Sequence, residues 1–137
     1  MFVGGGAFSS QLSKLASKYK SFEYVGRVGG VEAHRIASGF EWGLLPINGE
    51  VLKYAFPSKL PSYLAARCKI ICCTNMDSSL AKWAHEYDLG FSCGESVEAL
   101  VSAFYSIENL NGLSQDPSNF YITPKIFGKA ISEIFLA

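Results

Sequence analysis

Three consecutive residues, Ser58-Lys59-Leu60, lie between Pro57 and Pro61 in an arrangement suited to holding a phosphate. Pro57 fixes the direction of the entering chain, and Ser58 is a good N-cap residue. Pro61 falls in a first helical turn, where a missing N–H breaks no intrahelical bond. The pattern predicts a helix beginning near Lys59. The backbone donors of Ser58, Lys59 and Leu60, the positive end of the helix dipole and the Lys59 ammonium together suit a phosphate or diphosphate. An ordinary capped helix with a solvated lysine uses the same residues, so this stretch alone leaves both readings open.

Other residues with chemical potential are weaker signals. Gly4-Gly5-Gly6-Ala7-Phe8-Ser9 approximates a dinucleotide fingerprint, with Ser9 where the third glycine would stand. The acidic ribose partner of that fingerprint is replaced by Gly26 and Arg27, although an arginine there suits a 2′-phosphate. A dinucleotide-binding oxidoreductase is therefore a minor alternative, and a turn lining some other ligand is the better reading of the glycines. His34 and His85 have no Cys or Asp at metal-ligand or triad spacing. Carboxylates occur singly, with no pair placed for acid–base work. Cys72 and Cys73 are adjacent on an expected strand and so point to opposite faces. Together with Cys68 and Cys93 they read as buried, reduced thiols, and no metal site is expected. No catalytic centre is visible.

The elements that must position these residues follow from composition and periodicity. The chain has 137 residues, 49% of them apolar and 18% charged, with a formal net charge of zero. That balance describes a compact globular protein with a single core. Without clustered Lys and Arg, attraction to nucleic acid is excluded and membrane association is at most peripheral. Met1-Phe2-Val3 followed by glycines lacks the form of a signal peptide, and no apolar run approaches the roughly 20 residues needed to span a bilayer. A cytoplasmic location is expected.

Phe2-Val3 reads as a short strand, Phe8 to Tyr19 as an amphipathic helix, and Phe22 to Val28 as a second strand. Val31 to Ser38 is a helix, Phe40 to Leu45 a strand closed by Pro46, and Ile47 to Phe56 a loop with one or two turns. Lys69 to Cys73 is apolar from Ile70 onward, as in a strand covered on both faces. Thr74 to Asp77 offers caps for a helix carrying Leu80, Trp83, Ala84 and Tyr87 inward, stopped by Gly90. Phe91 to Cys93 is a strand, and Ser96 caps a helix with Val97, Leu100, Val101, Phe104 and Ile107 inward. Asn111-Gly112 marks a break, Gln115 to Thr123 a polar loop, and Pro124 to Ala137 a last helix with Ile126, Phe127, Ala130, Ile131 and Ile134 on one side. Alternating strands and helices predict a doubly wound α/β domain, mainly parallel and Rossmann-like, with helices on both sheet faces and ligands at the carboxyl ends of strands. That domain is assigned to residues 1–112, and residues 113–137 to a loop and helix packing on it or on a partner.

From Phe40 onward the order of signals resembles a known family. Leu44-Leu45-Pro46, Phe56-Pro57-Ser58-Lys59-Leu60, Tyr63-Leu64-Ala65-Ala66, Ile70-Ile71 and Leu89-Gly90-Phe91 are similar to the C-terminal, nucleotide-sugar-binding half of GT-B glycosyltransferases of the glycosyltransferase 4 type. The nearest variants act in capsule, exopolysaccharide and O-antigen synthesis. Gly4-Gly5-Gly6 and Tyr24-Val25-Gly26 fall where that family has two earlier strand-end glycines, so the likeness extends to about Ile107. It implies a donor diphosphate at Ser58, Lys59 and Leu60, a nucleobase at Arg27 and Val28, and the glycine turn Gly4, Gly5 and Gly6 near the donor. Ser62 stands where many relatives hold the ribose with a glutamate, and Tyr54 where some carry another acid. The implied function is donor binding for sugar transfer from a nucleoside diphosphate to a cell-surface or lipid-linked acceptor, without a cofactor or metal. The family domain has a further strand and helix ahead of the unit matching Phe2 to Tyr19. A truncated or split enzyme, inactive alone and completed by a separate acceptor-binding domain, is therefore expected. The alternative is a noncatalytic interaction module, pairing or self-associating through the C-terminal helix.

Overall fold

The computed structural model describes residues 1–109. The predicted break at Asn111-Gly112, the loop from Gln115, the helix from Pro124 and the segment 113–137 lie outside the described residues. The described residues form two compact units, Met1–Ile36 and the residues from Ala37 onward.

In the first unit, helix α1 spans Ser9–Lys18 and helix α2 Gly30–Ala37, close to their predicted positions. The two predicted strands reduce to a single parallel bridge, Phe2 to Tyr24. It is held by the Phe2 amide on the Glu23 carbonyl (2.7 Å) and the Val25 amide on the Phe2 carbonyl (3.0 Å), with Phe2 and Phe22 stacked 5.0 Å apart. Gly4, Gly6 and Gly26 all have positive φ, which turns the backbone out of the extended form on both sides before a ladder can lengthen.

The second unit is an α/β structure built on a three-stranded sheet. Strands β1 (Trp42–Pro46), β2 (Lys69–Cys73) and β3 (Gly90–Cys93) lie in the order β1-β2-β3, both pairings parallel. The register runs from Trp42 opposite Lys69 to Pro46 opposite Cys73, and from Ile70 opposite Gly90 to Cys73 opposite Cys93. Pro46 closes β1 from within the strand, a tolerable place because β1 is an edge strand of this sheet. Helix α3 (Gly49–Leu52) occupies the predicted loop, with the Asn48 side chain accepting from the Glu50 amide. Helices α4 (Leu60–Ala65), α5 (Ser79–Glu86) and α6 (Val97–Asn109) complete the unit.

As its unbroken apolar run predicts, β2 is covered on both faces. On one face Leu45, Ile70 and Cys72 meet Leu60 and Leu64 of α4 and Leu80 and Ala84 of α5. On the other, Ile71, Cys73 and Cys93 meet Ala103 of α6, with Ala99, Leu100 and Ile107 packed around them. Helices therefore lie on both faces of a parallel sheet, a Rossmann-like arrangement.

Four local expectations change. The cap of α5 is Ser78, whose hydroxyl accepts from the Ala81 amide, while Asn75 closes the preceding turn on the Asp77 amide. Gly90 does not stop α5; the left-handed residue Asp88 follows that helix, and Gly90 opens β3. The inward face of α6 is Ala99, Leu100, Ala103 and Ile107, whereas Val97, Val101 and Phe104 are exposed, because small alanines let the helix approach the sheet closely. Tyr87, expected in the core, is exposed and rests against Trp83 at 5.8 Å.

Candidate functional site

Pro46, Cys73 and Cys93 end the three strands in a common register, so the loops after β1, β2 and β3 leave from one edge of the sheet. Two of these loops are tied together: the Gly49 amide donates to Glu95 Oε1 at 3.0 Å across 46 residues of sequence. Helix α4 carries the chain back from this edge to the start of β2, which leaves its first turn at the carboxyl end of the sheet.

At that turn the prediction needs correction. The helix begins at Leu60, its N-cap is Lys59, and no side chain caps it. Ser58 cannot cap because the amide three positions on would belong to Pro61, which has none, and the Leu60 amide already donates to the Pro57 carbonyl at 3.1 Å. Leu60 is therefore not a free donor for an anion. Its side chain is 1% exposed and anchors the turn in the core. The amides of Ser58 and Lys59 make no hydrogen bond with any described residue, and Lys59 forms no ion pair among them. Both residues are exposed, as is Ser62 within α4. Tyr54 is 88% exposed.

The remaining predicted residues belong to the first unit. There the Gly4 amide donates to the Gly26 carbonyl at 2.7 Å, and the Tyr24 hydroxyl donates to the Gly4 carbonyl at 2.9 Å. A side-chain carbon on Gly5 would stand 3.5 Å from Arg27 Cβ. The glycine turn Gly4, Gly5, Gly6 and the segment Gly26-Arg27-Val28 are thus neighbours. Arg27 is exposed and Val28 half-buried. The structure groups Ser58, Lys59 and Ser62 in the second unit, and the glycines with Arg27 and Val28 in the first.

The cysteines are free and buried as expected. Burial pushes the Cys72 thiol up to about 11 and, with Cys93 beside it, the Cys73 thiol up to about 12, so neither is a ready nucleophile at neutral pH. Cys68 Sγ lies 3.3 Å from the Ala37 and Phe40 carbonyls, to which it donates. His34 and His85 are exposed, and no group of three or more metal-ligating side chains exists among the described residues. No described helix is long and apolar enough to cross a membrane.

Sequence reasoning missed three features of the loop edge. Asn48 ahead of Gly49-Glu50 is a legible cap signal, but the Gly49–Glu95 tie has no local signature. Thr74, directly after β2, is fully buried with its hydroxyl unpartnered among the described residues, a position that only the packed structure reveals. Compared with protein families, curated proteins and solved structures, the chain has no significant match.

Proposed function

We propose that this chain is the donor-binding part of a glycosyltransferase, holding the diphosphate of a nucleoside-diphosphate sugar at the turn before α4. The observation that carries this reading is the exposed Ser58-Lys59 turn at the carboxyl end of a parallel sheet, with two amides and an ammonium that have no partner among the described residues. Amides and ammonium would neutralise a diphosphate, and they would do so more strongly as it departs and gains charge during sugar transfer. Leu60 supports the turn from the core rather than contacting ligand. The Ser62 hydroxyl, exposed on α4, would supply one hydrogen bond to a ribose. Such a site uses no metal, and transfer itself would require an acceptor domain, so the chain alone binds donor without turnover.

Isothermal titration with uridine diphosphate and guanosine diphosphate tests the reading. Binding to at least one is expected without divalent metal, weaker than about micromolar because a single serine replaces a bidentate ribose grip. Lys59→Ala should lower affinity roughly tenfold, equivalent to about 1.4 kcal/mol. A folded protein that binds neither nucleotide, or a Lys59→Ala variant with unchanged affinity, overturns the assignment.

A further inference from the structure

Of the four buried cysteines, two face each other across neighbouring strands. Cys73 and Cys93 are register partners at the ends of β2 and β3, and their sulfurs are 3.5 Å apart. Register partners in a parallel sheet have Cα atoms about 4.8 Å apart, inside the span that a disulfide bridges. Both side chains point to the same face of the sheet, against Ile71 and the small Ala103 of α6. A disulfide requires the sulfurs to close from 3.5 Å to about 2.05 Å. Cys72 and Cys68 lack this geometry: Cys72 points into the opposite cluster, and Cys68 is engaged with backbone carbonyls. Cys73 and Cys93 are also the more accessible thiols, at 9% and 7% exposure against 0% for Cys72 and 2% for Cys68.

The geometry points to Cys73 and Cys93 as a redox modification site that closes to an internal disulfide when the protein meets a peroxide. One thiol attacks a peroxide oxygen; the O–O bond breaks, the first water leaves, and a sulfenic acid remains. The second sulfur then attacks the sulfenic sulfur, the S–O bond breaks, and a second water leaves. Two thiols lose two electrons and two protons, and one peroxide is reduced to two waters. Burial raises the thiol pKa of Cys73 and keeps that thiol protonated at neutral pH, so its own attack on a peroxide is slow there. The disulfide would fasten together the starts of the loops that carry the Ser78 and Ser96 caps and the Gly49–Glu95 tie.

The test treats the native full chain with excess hydrogen peroxide, alkylates the remaining thiols in acid denaturant, and maps the peptides without reduction by mass spectrometry. A Cys73–Cys93 cross-link reversible by dithiothreitol is expected, with Cys68 and Cys72 alkylated. The link should persist in Cys72→Ala and vanish in Cys73→Ala. Because that last variant also alters packing, a second measurement uses phenylarsine oxide, which bridges two close thiols. Native protein should take up one equivalent, and Cys72→Ala should do the same. Persistence of Cys73 and Cys93 as free thiols after peroxide has oxidised the exposed Met76, a link involving Cys72 or Cys68 instead, or no arsenical uptake by native protein each overturns the proposal.

Discussion

Met1–Ile36 and the unit from Ala37 onward are written in the same vocabulary of extended segments, glycines and amphipathic helices, yet they build different interiors. In the first unit one bridge joins the extended segments, and neither α1 nor α2 contains a buried residue. Phe8 and Val31, both apolar and both at helix starts, are 70% and 89% exposed. In the second unit three strands pair over four or five residues each, and Ile70, Ile71 and Cys72 are essentially inaccessible. The glycines make the same contrast. A side chain added at Gly4, Gly6 or Gly26 would meet nothing, whereas one at Gly43 or Gly90 would run into its neighbours. Amphipathic helices gain a core only where a ladder presents them with a continuous apolar face, and the same residue type marks open backbone in one unit and close packing in the other.

Gly90→Ala is the sharpest way to break that contrast. The new Cβ would overlap the Ile70 carbonyl oxygen, at a φ of +148° that L side chains rarely adopt. Relief requires β3 to part from β2, and a loss of about 4 kcal/mol is expected, the level at which single substitutions become exceptional. Urea denaturation followed by circular dichroism measures it, and a loss below about 1 kcal/mol would mean that β3 does not sit against Ile70 as described. Next in size is Gly43→Ala. Its Cβ would fall 2.6 Å from the Tyr63 ring, which lies over this glycine in β1. Overpacking of this kind costs about 2 kcal/mol, because the ring must rotate away from the half-buried place it fills. The cause is tested by Tyr63→Ala in the same background, which should make the glycine substitution nearly neutral.

The legible and illegible parts of this fold separate along the same line. Lys69 to Cys73 was readable to the residue because four consecutive apolar positions in a short β-branched and cysteine run fit a strand covered on both faces. Ser96 was readable because a cap is a local event, and its hydroxyl does accept from the Ala99 amide. Phe22 to Val28 carries good strand residues, but a ladder depends on a distant partner, and positive-φ glycines on both segments left only Tyr24 paired. The inward face of α6 misled because large apolar residues suggest a core, while the sheet beneath Cys73 and Cys93 selects Ala99 and Ala103. At the candidate site, a helix start near Lys59 was readable from Pro57 and Pro61, and the structure adds that Ser58 and Lys59 are exposed there. The failure of Ser58 as a cap was also decidable in advance, since counting three residues on reaches a proline with no donor. The tie from Gly49 to Glu95 was not decidable, because no local pattern joins positions 46 residues apart.

The smallest expected effect tests the open side of the comparison. Gly5 has no positive φ, and a Cβ there would lie 3.5 Å from Arg27 Cβ, an ordinary van der Waals contact. Gly5→Ala removes conformational freedom from the unfolded chain and adds a contact without strain, so it should change stability by no more than about 0.5 kcal/mol, with gain the favoured direction. Measured by urea titration beside Gly90→Ala, it sets the two units on one scale. If Gly5→Ala instead proved as damaging as Gly43→Ala, the turn at Gly4 to Gly6 would have to be closely packed, and its open surroundings in the first unit would be refuted.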